Sequence, residues 1–310
     1  MIPLKDRQIK ATISHRKRKP AGTLDDAFDI NSPATIKESI EYDQQFRIDF
    51  TFDRTADITK PDTGTLKIYN PVQNFFADVQ DSYDLYIVIE GGYKDYTGRL
   101  IAGVCSDYLI ERNGTDVIMS FMIGDGLNAL RKQTNKTYPK DTPYSKIVDD
   151  MLTDLKTAGT EIIASAKKWV KDKIAGKTES GENFSGSTAK ALDKIMRAKG
   201  IEPVIANNEM FFREFAKPID RYSIVLSHDT GLLTARKTTL ELKDSTGKVV
   251  KKSAVEFECL MIPYIVPGQQ INIKSQFINK GEATLMTVYS CTGDGSNFGS
   301  NFFIRGIAHE

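Results

Sequence analysis

Apolar and polar residues alternate one by one through most of residues 1 to about 125. In "QQFRIDFTFDR", Phe46, Ile48, Phe50 and Phe52 share one face, and Arg47, Asp49, Thr51 and Asp53 share the other. A period of two marks a half-buried antiparallel strand. "GTLKIYNP" repeats it, with Leu66 and Ile68 on one side, and ends in the Asn70–Pro71 turn. "DLYIVIEGGY", "YTGRLIAGVCSDYLIERN" and "TDVIMSFMIGDG" follow, with turn residues at Glu90–Gly92 and Glu111–Gly114. Short strands at this spacing predict a barrel or sandwich. One helix interrupts them: "PVQNFFADVQDS" places Phe75, Phe76 and Val79 on one side behind a proline in the first turn.

The period changes near Gly126. "TPYSKIVDDMLTDLKTAG" carries the helical stripe Ile147, Val148, Met151, Leu152 and Leu155, with Thr142 as N-cap, Pro143 first and Gly159 at the C-terminal end. "EIIASAKKWVKDKIAGK" keeps the helical period and has a lysine-rich outer face. After the polar loop "GKTESGENFSGS", "STAKALDKIMRAKG" is another helix, and "EPVIANNEMFFREF" is a hairpin turning at Asn207–Asn208. From about Tyr222 the chain is β again, with five candidate strands. The expected fold class is α+β, mainly β: strand blocks at 1–126 and 221–310 and a mostly helical insert over 127–220.

The chain has 310 residues, long enough for two or three modest domains. Lys+Arg is 42 and Asp+Glu is 41, a net charge of +1, which argues against a dedicated nucleic-acid binder and suits protein partners. No run approaches the roughly 18 apolar residues of a membrane span, and "MIPLKDRQIK" has no apolar core of a signal peptide. The three sequons at Asn113, Asn135 and Asn183 therefore read as chance matches. Cys105, Cys259 and Cys291 lack CxxC spacing and read as reduced, half-buried thiols.

No constellation supports catalysis, a cofactor or a metal. "SHDTG" sets Ser227, His228 and Asp229 side by side, whereas triads assemble from distant positions, so it reads as a turn. Asp149, Asp150 and Asp154 lie on the solvated face of a helix. Asp25, Asp26 and Asp29 lack the glycine and terminal glutamate of a calcium loop. "TGDGSNFGSN" lacks the Gly-Lys-Ser/Thr of a phosphate loop and reads as a long turn that exposes Phe298 for a protein contact. The dense basic run His15, Arg16, Lys17, Arg18 and Lys19 reads as a solvated loop, with nucleic acid or an acidic partner as the alternative.

The order of motifs resembles the baseplate hub proteins of tailed, contractile-tail phages and related injection particles. The residues that carry it are Ile68–Pro71, the strand ending Gly91–Gly92–Tyr93, Gly98–Ile101, Gly124–Asp125–Gly126, the helix start Thr142–Ile147, Gly231–Leu233, "CLMIPYIVPGQQINI" and the closing "LMTVYSCTGDGSNFGSNFFIRGIA". The resemblance implies two tail-tube-like antiparallel β-barrel domains, 1–126 and 221–310, around the insert 127–220. It implies no enzyme but a homotrimer whose pseudo-sixfold ring joins the hexameric tail tube to the trimeric central spike. The ring would form part of the conduit for DNA and tape measure protein, which DNA crosses without specific binding. Baseplate wedge or sheath-end proteins would be further neighbours. The location implied is the virion tail baseplate, assembled in a bacterial host's cytoplasm. Contact loops are expected at His15–Lys19 and at Asp294, Asn297 and Phe298. The competing readings are a hexameric tail-tube or distal-tail ring protein and a tail-tip cell-wall hydrolase.

Overall fold

The structure, a computed structural model, describes residues 6–17, 36–71, 83–94, 96–162, 164–206, 209–219, 223–243 and 248–310. The helix expected around Phe75, Phe76 and Val79 lies outside them, as do the Asn207–Asn208 turn and the acidic group at Asp25–Asp29.

Seven strands come first: β1 (Arg7–Lys17), β2 (Ile36–Tyr42), β3 (Ile48–Thr55), β4 (Asp62–Tyr69), β5 (Tyr83–Tyr93), β6 (Tyr96–Asn113) and β7 (Asp116–Asp125). The insert holds α1 (Leu127–Arg131), β8 (Gln133–Tyr138), α2 (Tyr144–Thr157), β9 (Glu161–Ile162), α3 (Ala164–Lys173), β10 (Glu182–Ser187), α4 (Thr188–Ala198), β11 (Ile201–Ala206) and β12 (Glu209–Glu214). The last block holds β13 (Ile224–Leu226), β14 (Leu232–Lys243), β15 (Val249–Leu260), β16 (Gln270–Lys274), α5 (Gln276–Asn279), β17 (Ala283–Ser296) and β18 (Phe302–His309). Strand makes up 58% of the structure and helix 17%, so the mainly β expectation holds.

Both strand blocks join one 13-stranded sheet, whose main path of eleven strands runs β14-β15-β18-β17-β3-β4-β7-β6-β5-β1-β2, with β16 branching from β17 and β13 pairing with β16. The seam is β17. Its first half, Ala283–Thr287, pairs with β16, and its second half, Ser290–Ser296, pairs antiparallel with β3 of the first block. One hydrophobic cluster runs beneath the seam, with Phe50, Leu66 and Ile87 from the first block and Phe257, Val288 and Ile304 from the second. Phe302 meets Phe50 edge-on at 6.4 Å and Tyr93 at 5.4 Å, tying the blocks together. Each such side chain, fully buried, contributes roughly 1.5–3 kcal/mol. No barrel closes among the described residues, because the strand order has two ends.

The insert has its own core. The α2 stripe Ile147, Val148, Met151, Leu152 and Leu155 is buried as its spacing predicts, against Leu192, Ile195 and Met196 of α4. The start of α2 corrects the sequence reading by one residue. Pro143 is the N-cap, and the Thr142 hydroxyl turns back to donate to the Pro139 carbonyl at 2.7 Å. Gly159 and Gly200 take the left-handed φ values of 92° and 71° that let the chain leave α2 and α4.

Candidate functional site

The alternation of β3, β4, β15, β17 and β18 gives the sheet one apolar face and one polar face. Register aligns the polar residues into rows across both blocks. Thr234, Glu258, Arg305, Thr292, Asp53 and Thr63 lie side by side on six successive strands. Their charges compensate locally: Arg305 Nε donates to Glu258 Oε2 at 2.6 Å, and Arg236 pairs with Glu256. Thr51 and Thr65 hydroxyls bond across β3 and β4 at 2.7 Å. The result is a broad, polar wall whose charges are largely paired. A shallow depression of about 480 Å³ lies on it over Thr63, Thr292 and Asp294.

Two long hairpins extend this wall. β14 pairs only with β15 among the described residues, so its outer backbone edge is free. At the other side, β5 accompanies β6 only as far as Val104, and among the described residues the stretch from Cys105 to Asn113 pairs only with β7. This distal part of β6 is exposed on both faces: Leu109 (58% exposed) points one way, Tyr108 and Ile110 the other. Among the described residues this stretch has one free backbone edge and carries three exposed large apolar side chains in a row. The sequence reading missed it. The available signal was the consecutive run Tyr108–Leu109–Ile110, which breaks the alternation of a half-buried strand.

The expected contact residues do not converge. The backbone of His15–Lys17 continues β1 and pairs with β2 and β5, so the basic run begins in a strand and not in a loop; Arg18 and Lys19 lie outside the described residues. Asp294 likewise belongs to β17, opposite Thr51 and Phe303, and accepts from Asn301 Nδ2 at 3.2 Å. Only the five residues after Ser296 make the turn. That turn is braced: Asn297 Oδ1 accepts from the Ile48 amide at 2.8 Å, and Arg7 donates to the Gly299 carbonyl at 2.8 Å. Phe298 projects from this rigid frame, 69% exposed.

The groups weighed for chemistry have structural employment. His228–Thr230 form a single 3₁₀ turn, with Ser227 and Thr230 capping each other and His228 exposed. Asp149 binds Lys167 at 2.6 Å and Lys171 at 3.3 Å, Asp154 binds Lys136, and Asp150 accepts from the Tyr138 hydroxyl. The three cysteines are free, and burial pushes all three thiols up, Cys105 to about 11 and Cys291 to about 12. Among the described residues no cluster of three or more His, Cys, Asp or Glu is arranged to hold a metal, and no helix is long and apolar enough to cross a membrane.

No protein-family model matches the chain, and no curated protein matches its sequence. Solved structures do match its fold. The 43 kDa tail protein of prophage MuSo2 from Shewanella oneidensis is 9% identical, over 97% of this chain and 98% of that one, at a TM-score of 0.57. A type VI secretion component of Escherichia coli, described as structurally similar to the T4 tail proteins gp27 and gp5, is 9% identical over 84% of this chain and 73% of that one, at 0.55. A chain of the Francisella PdpA–VgrG complex is 7% identical at a TM-score of 0.59; the match covers 99% of this chain but 58% of that one. The hub-like resemblance carried by the motifs is thus matched in three dimensions: the chain has the fold of phage tail proteins and of related type VI secretion components.

Proposed function

We propose that the chain is a non-enzymatic hub subunit of a tail baseplate, three copies of which close into a ring around a central conduit. The observation that carries this reading is the run β14-β15-β18-β17-β3-β4-β7-β6. It is eight strands long and antiparallel at every junction; among the described residues it ends on the free edge of β14 at one side and, at the other, on the distal part of β6 beyond its pairing with β5. An even number of alternating strands leaves β14 and β6 running in opposite directions. A copy placed by rotation therefore brings its β14 antiparallel to the distal part of β6 on its neighbour, continuing the ladder. Charge favours this meeting, with Arg236 and Lys237 on β14 and Asp107 and Glu111 on β6. Such a heterologous contact repeats until the ring closes.

Three copies supply 24 strands, the same number as six copies of a four-strand unit. In this reading each chain provides two tube-like units, 1–126 and 221–310, with the insert 127–220 outside the wall. The trimer then meets a hexameric tail tube on one side and a trimeric spike on the other, within a virion tail. The balanced polar face becomes the lumen. A wall without excess basic charge lets DNA and tape measure protein pass without the counterion-releasing phosphate contacts that would hold them. Phe298, with Asn297 and Asp294, and the run from His15 to Lys19 remain the proposed contacts to tube, spike or wedge proteins.

Native mass spectrometry across a concentration series tests this. Three copies of the 34.6 kDa chain are expected. A hexamer would replace the hub with a hexameric tube or distal-tail ring. A monomer at every concentration, with and without a spike or tube partner, would sink both.

A further inference from the structure

The sequence contains one Asn-Gly pair, Asn113–Gly114, and the fold places it at the tip of the β6–β7 hairpin. Asn113 ends β6 and lies opposite Asp116, which begins β7, so Gly114 and Thr115 alone make the loop. Gly114 takes a φ of 64° while Thr115 keeps a negative φ, the pattern of a type II′ turn with glycine first. A Cβ on Gly114 would meet nothing within 4 Å, and the residues from Glu111 to Asp116 are exposed. Among the described residues no hydrogen bond engages the Gly114 amide or the Asn113 side chain.

These features supply what an asparagine needs to close on its own backbone. Joining its Cγ to the nitrogen of the next residue makes a five-membered ring. A side chain on that next residue obstructs the approach; glycine has none, and its backbone turns freely into the geometry that closure requires. The attacking nitrogen must also lie outside the strand ladder, and Gly114 is the first residue beyond it. We propose that Asn113–Gly114 is a self-modifying site, with water as its only co-reactant. The Gly114 nitrogen attacks Asn113 Cγ. The N–Cγ bond forms, the Cγ–Nδ2 bond breaks, and the Gly114 amide proton leaves with Nδ2 as ammonia. Water then opens the cyclic imide at either carbonyl. One opening leaves an aspartate at position 113. The other leaves an isoaspartate, whose backbone runs through the side chain and is one methylene longer.

Both products act on the end of the hairpin. Either one sets a carboxylate directly opposite that of Asp116, and facing like charges oppose strand pairing. The longer backbone of the isoaspartate also breaks the register at this pair. The loosening has a stop, because Asn70 clamps β7 from its other side. Asn70 Nδ2 donates to Asp116 Oδ1 at 3.0 Å, the Val117 amide donates to Asn70 Oδ1 at 2.9 Å, and the Asn70 amide donates to the Val117 carbonyl at 2.7 Å. Residue 113 therefore parts from Asp116, while Val117 and the ladder before it stay in place. The tip belongs to the distal part of β6 that the proposed ring uses as a contact, but the chemistry does not rest on that reading.

Peptide mass spectrometry of the full chain, aged at pH 6 and at pH 8, tests the site. The native protein should lose the amide at position 113 and give two isomeric acid peptides. Conversion should quicken by up to about tenfold per pH unit, as the ionised fraction of the attacking amide rises. Asn135 and Asn183 are exposed but followed by Lys136 and Phe184, so they should remain amides. Gly114→Ala should slow the conversion about tenfold, because its methyl hinders the attack. Asn113→Gln should abolish it, since the larger ring closes far more slowly. An amide at position 113 that outlasts the ageing as those of Asn135 and Asn183 do overturns the proposal. A single aspartate product overturns it too, because hydrolysis without the ring yields no isoaspartate. Amide hydrogen exchange of the aged chain reads the consequence: Asp116 should exchange faster and Val117 as before. Unchanged exchange at Asp116 overturns the loosening, and lost protection running on to Ser120 overturns the stop at Asn70.

Discussion

Gly293 of β17 lies directly opposite Phe52 of β3, and a Cβ built on it would stand 2.2 Å from the Phe52 ring. Gly295 repeats the relationship with Phe50, also at 2.2 Å. The two rings stack parallel at 6.4 Å over the bare backbone of the facing strand. The seam between the blocks is therefore closed by aromatic rings seated on glycine. Gly293→Ala should force the ring aside and destabilise the chain by about 1–3 kcal/mol, the range for overpacking. Gly181→Ala, where the new methyl would meet only the Tyr138 carbonyl oxygen at 3.5 Å, should cost far less. Urea midpoints of the two variants check this, and equal midpoints would refute it.

Ile58 follows β3 but is buried in the cluster of the insert, beside residues that otherwise run from Ala129 to Phe212. It is the peg by which the strand body holds the insert. Ile58→Ala should cost about 2–5 kcal/mol by leaving a cavity. Hydrogen exchange should show the loss first in α2 and α4, with β3 and β17 protected as before. Uniform loss of protection across both cores would contradict the peg.

The elements were legible where local pattern and burial agree. The strand faces of β3 and β4, the stripes of α2 and α4 and the hairpin β11–β12 follow from periods of 2 and 3.6. Partnership was not legible. Nothing local in "TGDGSNFGSN" says that its glycines face Phe50 and Phe52 across 240 residues of sequence, so a strand read as a turn. Arg54 and Asp62 also sit where alternation marks the core face, yet their charge hid them; only the register of β3, β4 and β7 brings them beside Asp125. Phe298 was read from the sequence as an exposed aromatic residue in a glycine-rich run, and its side chain is exposed. The free edges of β14 and β6 were not read, because an edge is defined by which strand is missing, and order along a sheet is not written in a period.

The thiols should separate sharply in reactivity. The thiolate is the reactive form, and burial raises all three. Cys105 is half-buried at the surface, whereas Cys259 and Cys291 are closed inside the core. Maleimide at pH 8 should label Cys105 alone, and slowly, since a thiol at about 11 is only about one part in a thousand ionised there. Labelling of Cys259 or Cys291 before urea unfolds the chain, read by peptide mass spectrometry, would show that the core opens more readily than this packing implies.

Ile110 tests the ring without disturbing the subunit. Its side chain is exposed on the distal part of β6 and lies outside both large core clusters. Ile110→Asp should change the stability of the isolated subunit by no more than about 0.5 kcal/mol. If the edge is the subunit contact, the same change places a charge at the centre of an apolar interface and should weaken assembly at least about tenfold. Sedimentation of the native and variant chains over one concentration series measures this. Unchanged assembly would move the contact away from β6.

His309 should set the acid limit of stability. Its ring is buried at the end of β18, Nδ1 lies 2.9 Å from the Glu310 carbonyl oxygen, and Nε2 has no hydrogen-bond partner. Burial foremost, and then the charges of Arg213 and Lys252, lower its pKa below 6.5 despite the Glu310 carbonyl and Glu202. A base depressed in the folded state binds fewer protons there than in the unfolded chain. Its contribution is therefore complete above about 6.5 and is lost as the pH falls from 6.5 through the folded value. His309→Phe removes the titrating ring and keeps an apolar side chain in the strand. Thermal unfolding of the native chain should weaken between pH 7 and pH 5, and the variant should not share that part of the decline. A native profile flat from pH 7 to pH 5, or the same decline in His309→Phe, would mean that the ring is already charged in the folded chain or that water reaches it.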